Sequence, residues 1–251
     1  MKLTAKLKKA IMAHADECYP RECCGAIVNN EYIQCRNISD QHDQFEIHPE
    51  DLADIEDQGE IQAYVHSHPD ATAKASDLDL LQIELHQKPW VICAYPDLDF
   101  QIYHPCGYRA PLVGRNYIHY WQDCYALVRD FYQRELNVIL PNFERLADWW
   151  EDQNHPSLLI ENYERAGFYE VDSPKYGDML ICRVGRTAHP NHCVIWLGEH
   201  WKMKSEQTES SIGSSLILHQ LHNRKSIREI YGPQWQERTV KILRHSDVKN
   251  H

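Results

Sequence analysis

The 251-residue sequence has no apolar run of the roughly 18 residues that a membrane-spanning helix needs, which excludes that class of protein. It also lacks any Cys-x-x-Cys pair. Nine cysteines, an odd number without that spacing, argue against a disulfide framework and against a cysteine-based zinc site. They fit synthesis in a reducing cytoplasm, with Cys18, Cys35, Cys93 and Cys182 packing as small hydrophobes. Positive charge is scarce: 26 Lys and Arg against 37 Asp and Glu give a net charge of −11. Residues 1–105 carry 8 basic against 19 acidic groups, and residues 106–251 carry 18 of each. The first stretch would repel a polyanion and the second would not attract one, so no nucleic-acid partner is expected. No internal repeat or low-complexity tract is visible. The N-terminal segment has charge but no apolar h-region, so no Sec-type signal is expected. It reads as an amphipathic helix with Leu3, Leu7, Ala10/Ile11 and Ala15 at helical spacing. A hydrophobic content of 43% with 10% aromatics is enough for packed cores.

What is present is concentrated in one short window: His66-Ser67-His68-Pro69, then Ser76 and Asp79. Two histidines at i and i+2 on an extended segment point to the same side. Ser76 and Asp79, just before the apolar run Leu78-Leu80-Leu81-Ile83-Leu85, read as a helix N-cap with its box partner. Capping and ligation are compatible, because a capped first turn fixes the direction in which Asp79 points. Two imidazoles and one carboxylate supply three ligands for a tetrahedral zinc with a fourth position open to water, the arrangement of a hydrolytic rather than a structural site.

With that spacing, H-x-H-x7-S-x-x-D, and the upstream Pro20-Arg21-Glu22-Cys23-Cys24-Gly25, the first part of the chain resembles the JAMM/MPN+ metalloproteases. The resemblance implies that His66, His68 and Asp79 hold Zn2+, that Glu22 takes the proton from the attacking water, and that Ser76 helps stabilise the oxyanion. Taken alone, Glu22 reads as an ordinary surface glutamate.

Along the chain, a helix over 4–18 is expected, then strands near 24–28 and 31–37 joined through Asn29-Asn30-Glu31, and a helix from His48-Pro49 to about 58. Strand 61–66, helix 76–87 and strands 90–95 and 99–103 follow. Helices and strands mix without a βαβ repeat, which implies a mixed sheet with flanking helices. A break around His104-Pro105-Cys106-Gly107 divides the chain into domains at 1–105 and 106–251. In the second, helices are expected at 119–136, 143–152 and 157–166, then strands at 178–184, 193–197, 216–221 and 239–244, an α+β pattern. The polar segment between Glu199 and Ser215 reads as a mobile loop or an extended hairpin over a site.

Cys124 follows Asp123 near the start of the 119–136 helix, where the dipole and unpaired N–H groups favour a thiolate. A nucleophilic thiol needs a base, offered by His192 ahead of Cys193-Val194-Ile195-Trp196-Leu197-Gly198, and a third polar group, offered by His219. Asp123-Cys124, Gly177-Asp178-Met179-Leu180 and His192 through Gly198, in that order, resemble the NlpC/P60 cysteine peptidases over most of 109–244. That resemblance implies a papain-like α+β fold, action on cell-wall peptidoglycan stem peptides, Cys124 as nucleophile, His192 as base and His219 as the orienting residue. Two departures stand out. Tyr125-Ala126 replaces the usual Ser-Gly, and the polar insertion moves His219 far beyond its customary distance from the base, leaving His200 and His222 as rivals.

The two domains in this order resemble the tail-tip assembly proteins of lambda-like tailed phages. That implies other tail-tip proteins as partners, a location in the host cytoplasm during assembly with the virion tail tip as a second site, no membrane insertion, and a bifunctional peptidase. The alternative is an assembly factor whose sites are vestigial.

Overall fold

Thr4 starts the first helix: its hydroxyl accepts the Leu7 N–H, and α1 (Ala5–Cys18) buries Leu7, Ile11 and Ala15 along one stripe. The structure, a computed structural model, describes residues 2–248. The chain forms two compact units, residues 1–109 and 110–251.

In the first unit, β1 (Cys24–Val28) and β2 (Glu31–Cys35) form a hairpin whose two loop residues, Asn29 and Asn30, both have positive φ. Asparagine tolerates that conformation, and the tight turn it permits matches the strand twist. Helix α2 (Pro49–Gln58), β3 (Ile61–Pro69), α3 (Asp77–His86), β4 (Trp90–Tyr95) and β5 (Phe100–Tyr103) follow. The sheet order is β2-β1-β3-β4-β5; β3 runs antiparallel to β1 and parallel to β4, so the sheet is mixed, with α3 as the crossover. One face packs Ala63, Val65, Val91 and Cys93 against Leu7 and Ile11 of α1. The other packs Cys24, Ala26 and Ile61 against Ile55 of α2. This double burial makes β1 apolar throughout.

The second unit begins its regular structure at α4 (Cys124–Phe131), continued by a π-helical turn at Tyr132–Leu136. Short helix α5 (Leu158–Asn162) and strand β6 (Phe168–Glu170) precede β7 (Met179–Cys182), β8 (His192–Gly198), β9 (Leu216–His219) and β10 (Ile227–Ile230). Helix α6 (Pro233–Arg238) leads directly into β11 (Thr239–His245). All strand pairs are antiparallel, in the order β10-β9-β8-β7-β11-β6. The period-2 alternation sorts side chains cleanly. Ile181, Cys193, Ile195 and Leu218 face Leu127, Val128 and Phe131 of α4, whereas Leu180, Val194 and Ile217 face Trp235 of α6. The expected fold class, a mixed sheet with helices followed by an α+β domain, is the observed one.

Several local expectations change. The helix expected from 119 begins at 124, because Asp123 is extended and Tyr120 has a φ of +67°. The helix expected over 143–152 is reduced to a 3-10 turn at Trp149–Glu151. The Phe143 and Tyr120 carbonyls accept hydrogen bonds from the buried Arg145 guanidinium, which takes the Phe143 acceptor a helix would use. The 199–215 segment, expected to be a mobile loop or extended hairpin, is anchored over residues 201–209. Glu135, buried, accepts the Lys204 and Ser205 N–H groups; Glu206 accepts those of Leu112 and Val113 and pairs with Arg134. It is therefore tied to the Glu135 end of the α4 helix, away from Cys124 at the start. Strands β6 and β10 and helix α6 have no counterpart among the elements expected from the sequence.

Candidate active sites

β3 places Tyr64, His66 and His68 on one face, and Ser67 on the other, where its Oγ accepts the Cys23 N–H at 2.8 Å. His66 is fully buried, stacked on Phe45 (4.8 Å between centroids) and edge-on to Trp90. Across from it, α3 starts with a capping box. Ser76 Oγ accepts the Asp79 N–H at 3.1 Å and Asp79 Oδ2 accepts the Ser76 N–H at 2.7 Å, which fixes the carboxylate. The outcome is convergence: His66 Nε2 and His68 Nε2 are 3.0 Å apart, and Asp79 Oδ1 and Oδ2 lie 3.2 Å and 3.4 Å from them. One ligand atom from each of the three residues lies within 4.8 Å of the others. His68 Nδ1 sits 2.9 Å from the Thr72 carbonyl. That contact puts the proton on Nδ1 and leaves Nε2 bare, as a metal-binding imidazole requires. Two ring nitrogens meeting face to face beside a carboxylate, in a buried place, fit a divalent cation of the zinc type.

Glu22 joins this group through strand pairing. Cys24 lies opposite His66, and beyond it the Ser67 N–H donates to the Cys23 carbonyl while the Cys23 N–H donates to Ser67 Oγ, so the same register sets Glu22 against His68. Glu22 is 5% exposed. Burial pushes its carboxyl up to about 8; the His68 ring acts against this and the Asp79 and Asp43 charges add to it. His66 is pushed down chiefly by burial. For His68 burial acts the same way, but its bonds to Asp79 and Thr72 outweigh it and the ring is raised. The Ser76 hydroxyl accepts in the cap and keeps its own proton to donate.

In the second unit, Asp123 caps α4 through its Oδ1 and the Ala126 N–H (2.8 Å), with Cys124 as the first helical residue. Arg145, buried between the rings of Tyr120 and Tyr125, clamps the cap through Nε to Asp123 Oδ2 at 2.8 Å. Cys124 lines a cleft with Tyr117, Trp149, Trp150, His192 and His222. Its thiol is held well below the ordinary range, first by a hydrogen bond from Cys193 and then, against the cost of burial, by His192. His192 Nε2 lies 3.1 Å from His219 Nδ1. Of the two rivals, His200 packs on Tyr176, away from the cleft, whereas His222 lines the cleft but packs on Tyr117 and Trp150. Sequence reasoning missed two partners here. Cys193 reads from sequence only as part of a strand, and Glu229, whose Oε1 is 2.8 Å from His219 Nε2, carries no motif. For Cys193, the alternation of β8 was the available signal, since it puts this residue on the face toward α4.

Comparison with known proteins agrees with both halves. The model for prokaryotic homologues of the JAB domain matches residues 4–103, and that for the NlpC/P60 family matches residues 114–244. Among solved structures, the chain is similar to a JAB1/MPN domain protein from Archaeoglobus fulgidus, at 19% identity over 40% of this chain and 85% of that one, with a TM-score of 0.30. A protein from Desulfitobacterium hafniense matches at 21% identity over 39% of this chain and 78% of that one, with a TM-score of 0.34. Tail tip assembly protein K of Escherichia phage lambda is 34% identical over 200 residues, 78% of this chain and 88% of that protein. Its counterpart from Escherichia phage N15 is 35% identical over 246 residues, 96% of this chain and 94% of that protein. The chain belongs to the tail tip assembly protein K family, with a JAB-type domain followed by an NlpC/P60 domain.

Proposed function

We propose that the chain is a bifunctional peptidase of a phage tail tip, with a zinc-dependent site in residues 1–105 and a cysteine endopeptidase site in residues 106–251. The observation that carries the reading is the convergence of His66, His68 and Asp79 within 4.8 Å on a buried face. These three would hold the zinc, which when bound acts as a Lewis acid and lowers the pKa of water. Glu22, buried opposite His68, moves a proton from the attacking water to the leaving amine. Ser76 donates its hydroxyl proton to the developing oxyanion.

At the other site, the Cys124 thiolate attacks the scissile carbonyl. His192 holds the thiol proton and returns it to the leaving amine, and His219 orients His192. The cysteine site takes peptidoglycan stem peptides, and the zinc site takes a peptide or isopeptide bond. Other tail-tip proteins are the partners, and assembly proceeds in the host cytoplasm. Among the described residues no helix is long and apolar enough to cross a membrane. The assembly role named for the relatives favours a second reading, an assembly factor with vestigial sites.

The two readings separate when wild type, Cys124→Ala and Glu22→Gln are incubated with peptidoglycan and with tail-tip proteins, and cut bonds are identified by mass spectrometry. Cys124→Ala should lose stem-peptide cleavage, and Glu22→Gln should slow metal-dependent cleavage by about 10²–10⁴-fold. Wild type that cuts nothing would favour the vestigial reading, and variants that cut as well as wild type would refute the roles given to Cys124 and Glu22.

A further inference from the structure

We propose that Glu229 is a positioning residue for the Cys124 site: its carboxylate fixes where protons sit on His219 and His192, so that a bare nitrogen faces the thiol. The inference rests on the cysteine-peptidase reading above and deepens it.

Glu229 Oε1 lies 2.8 Å from His219 Nε2, and His219 Nδ1 lies 3.1 Å from His192 Nε2. A carboxylate only accepts, so His219 must carry its proton on Nε2. His219 is 1% exposed and kept neutral by burial, with His192 and Arg238 also disfavouring its charge. A neutral ring has one N–H, so its Nδ1 is an acceptor and draws the proton of His192 onto Nε2. His192 Nδ1 is then left bare, and His192 is in hydrogen-bond contact with Cys124. The proton leaves Sγ as the S–H bond breaks and joins Nδ1 as an N–H bond forms. The Nε2–H of the resulting imidazolium already points at His219.

Glu229 is itself held in place. The Trp235 indole N–H donates to the same Oε1 at 2.8 Å, and the Trp235 ring lies under both histidines, stacked on His192 and edge-on to His219. A buried indole N–H needs an acceptor, so Trp235 both receives and fixes the carboxylate. A leucine in place of the glutamate removes that acceptor, so nothing holds the His219 proton on Nε2, whereas a glutamine can keep its oxygen on the Trp235 and His219 N–H groups. Without the acceptor, His192 is free to carry its proton on Nδ1 and present a donor to the thiol. The other titratable or charged groups around the site are Cys193 on β8, Cys182 on β7, Asp123, Tyr117, His119, Arg145 and His222 along the cleft, and Arg238 on α6.

Two measurements on the full chain test this. Long-range ¹H–¹⁵N spectra of wild type read histidine tautomers directly, without any variant at Glu229. Both His192 and His219 should be protonated on Nε2, and either ring protonated on Nδ1 alone overturns the inference. Second, the rate of Cys124 alkylation by iodoacetamide is followed against pH, with the modified cysteine located by peptide mass mapping. Glu229→Leu should slow alkylation at neutral pH by about tenfold or more and move its profile toward that of a free thiol, while Glu229→Gln, which keeps an acceptor oxygen, restores part of it. A wild-type profile that depends on His192 (lost in His192→Ala) but is unchanged in Glu229→Leu overturns the inference and leaves the peptidase reading standing. A wild-type thiol that is ordinary and insensitive to His192→Ala overturns both.

Discussion

Asp123→Asn should act on stability and on thiol acidity in opposite senses. Asp123 Oδ1 accepts the Ala126 N–H at 2.8 Å, and Oδ2 accepts Arg145 Nε at 2.8 Å and the Tyr120 N–H at 3.1 Å. Asparagine can keep the cap with its oxygen. Its amide nitrogen then meets the Arg145 and Tyr120 donors, and the Arg145 charge, on a side chain 5% exposed, loses its counter-ion. Removing one partner of a buried pair costs about 3–5 kcal/mol. Arg145 retains Asn142 Oδ1 and two backbone carbonyls, which places the loss near the low end, about 3 kcal/mol. Six of the seven tryptophans lie in residues 110–251, so fluorescence-detected urea unfolding of the full chain reports mainly on this unit. The thiol moves the other way. The Asp123 charge raises the Cys124 pKa, so its removal should lower the alkylation midpoint. A variant as stable as wild type, or one with a less acidic thiol, would refute the reasoning.

Two more outcomes rest on particular contacts. In Gly25→Ala, the new Cβ would stand 2.2 Å from the Ile33 carbonyl and 2.7 Å from the Tyr32 ring. The β1–β2 pairing cannot absorb this, so the variant should lose about 3 kcal/mol or more in thermal or urea unfolding, and unchanged stability would contradict the hairpin packing. His219 bears on acid stability. Burial first, then His192 and Arg238, push its folded pKa down to about 3, so between that value and 6.5 the unfolded chain binds a proton that the folded chain does not. Stability present above pH 6.5 is therefore lost as pH falls through this window. With Glu229 acting against the shift, the loss is about 2–4 kcal/mol and should be absent in His219→Gln.

What the sequence revealed was local. The His66/His68 pair is readable because period-2 alternation needs no partner, and Ser76/Asp79 because a capping box closes within three residues. The Asn29-Asn30 turn was legible for the same reason. Glu22 was not legible from its surroundings, since it reaches His68 only through strand pairing that joins residues more than 40 positions apart at that end. Glu229 sits in Ile227-Arg228-Glu229-Ile230, an edge strand whose two isoleucines are exposed, so no alternation marked it as structured. The 199–215 segment looked loose because it is polar; its anchors, Glu135, Arg134 and Arg228, lie outside it.

The most direct test of the account is elemental analysis of protein purified without chelators, wild type beside Asp79→Ala. Geometry that brings imidazoles 66 and 68 onto carboxylate 79 predicts close to one zinc per wild-type chain and far less in the variant. Wild type without metal, or an Asp79→Ala protein that binds zinc as fully, would contradict it.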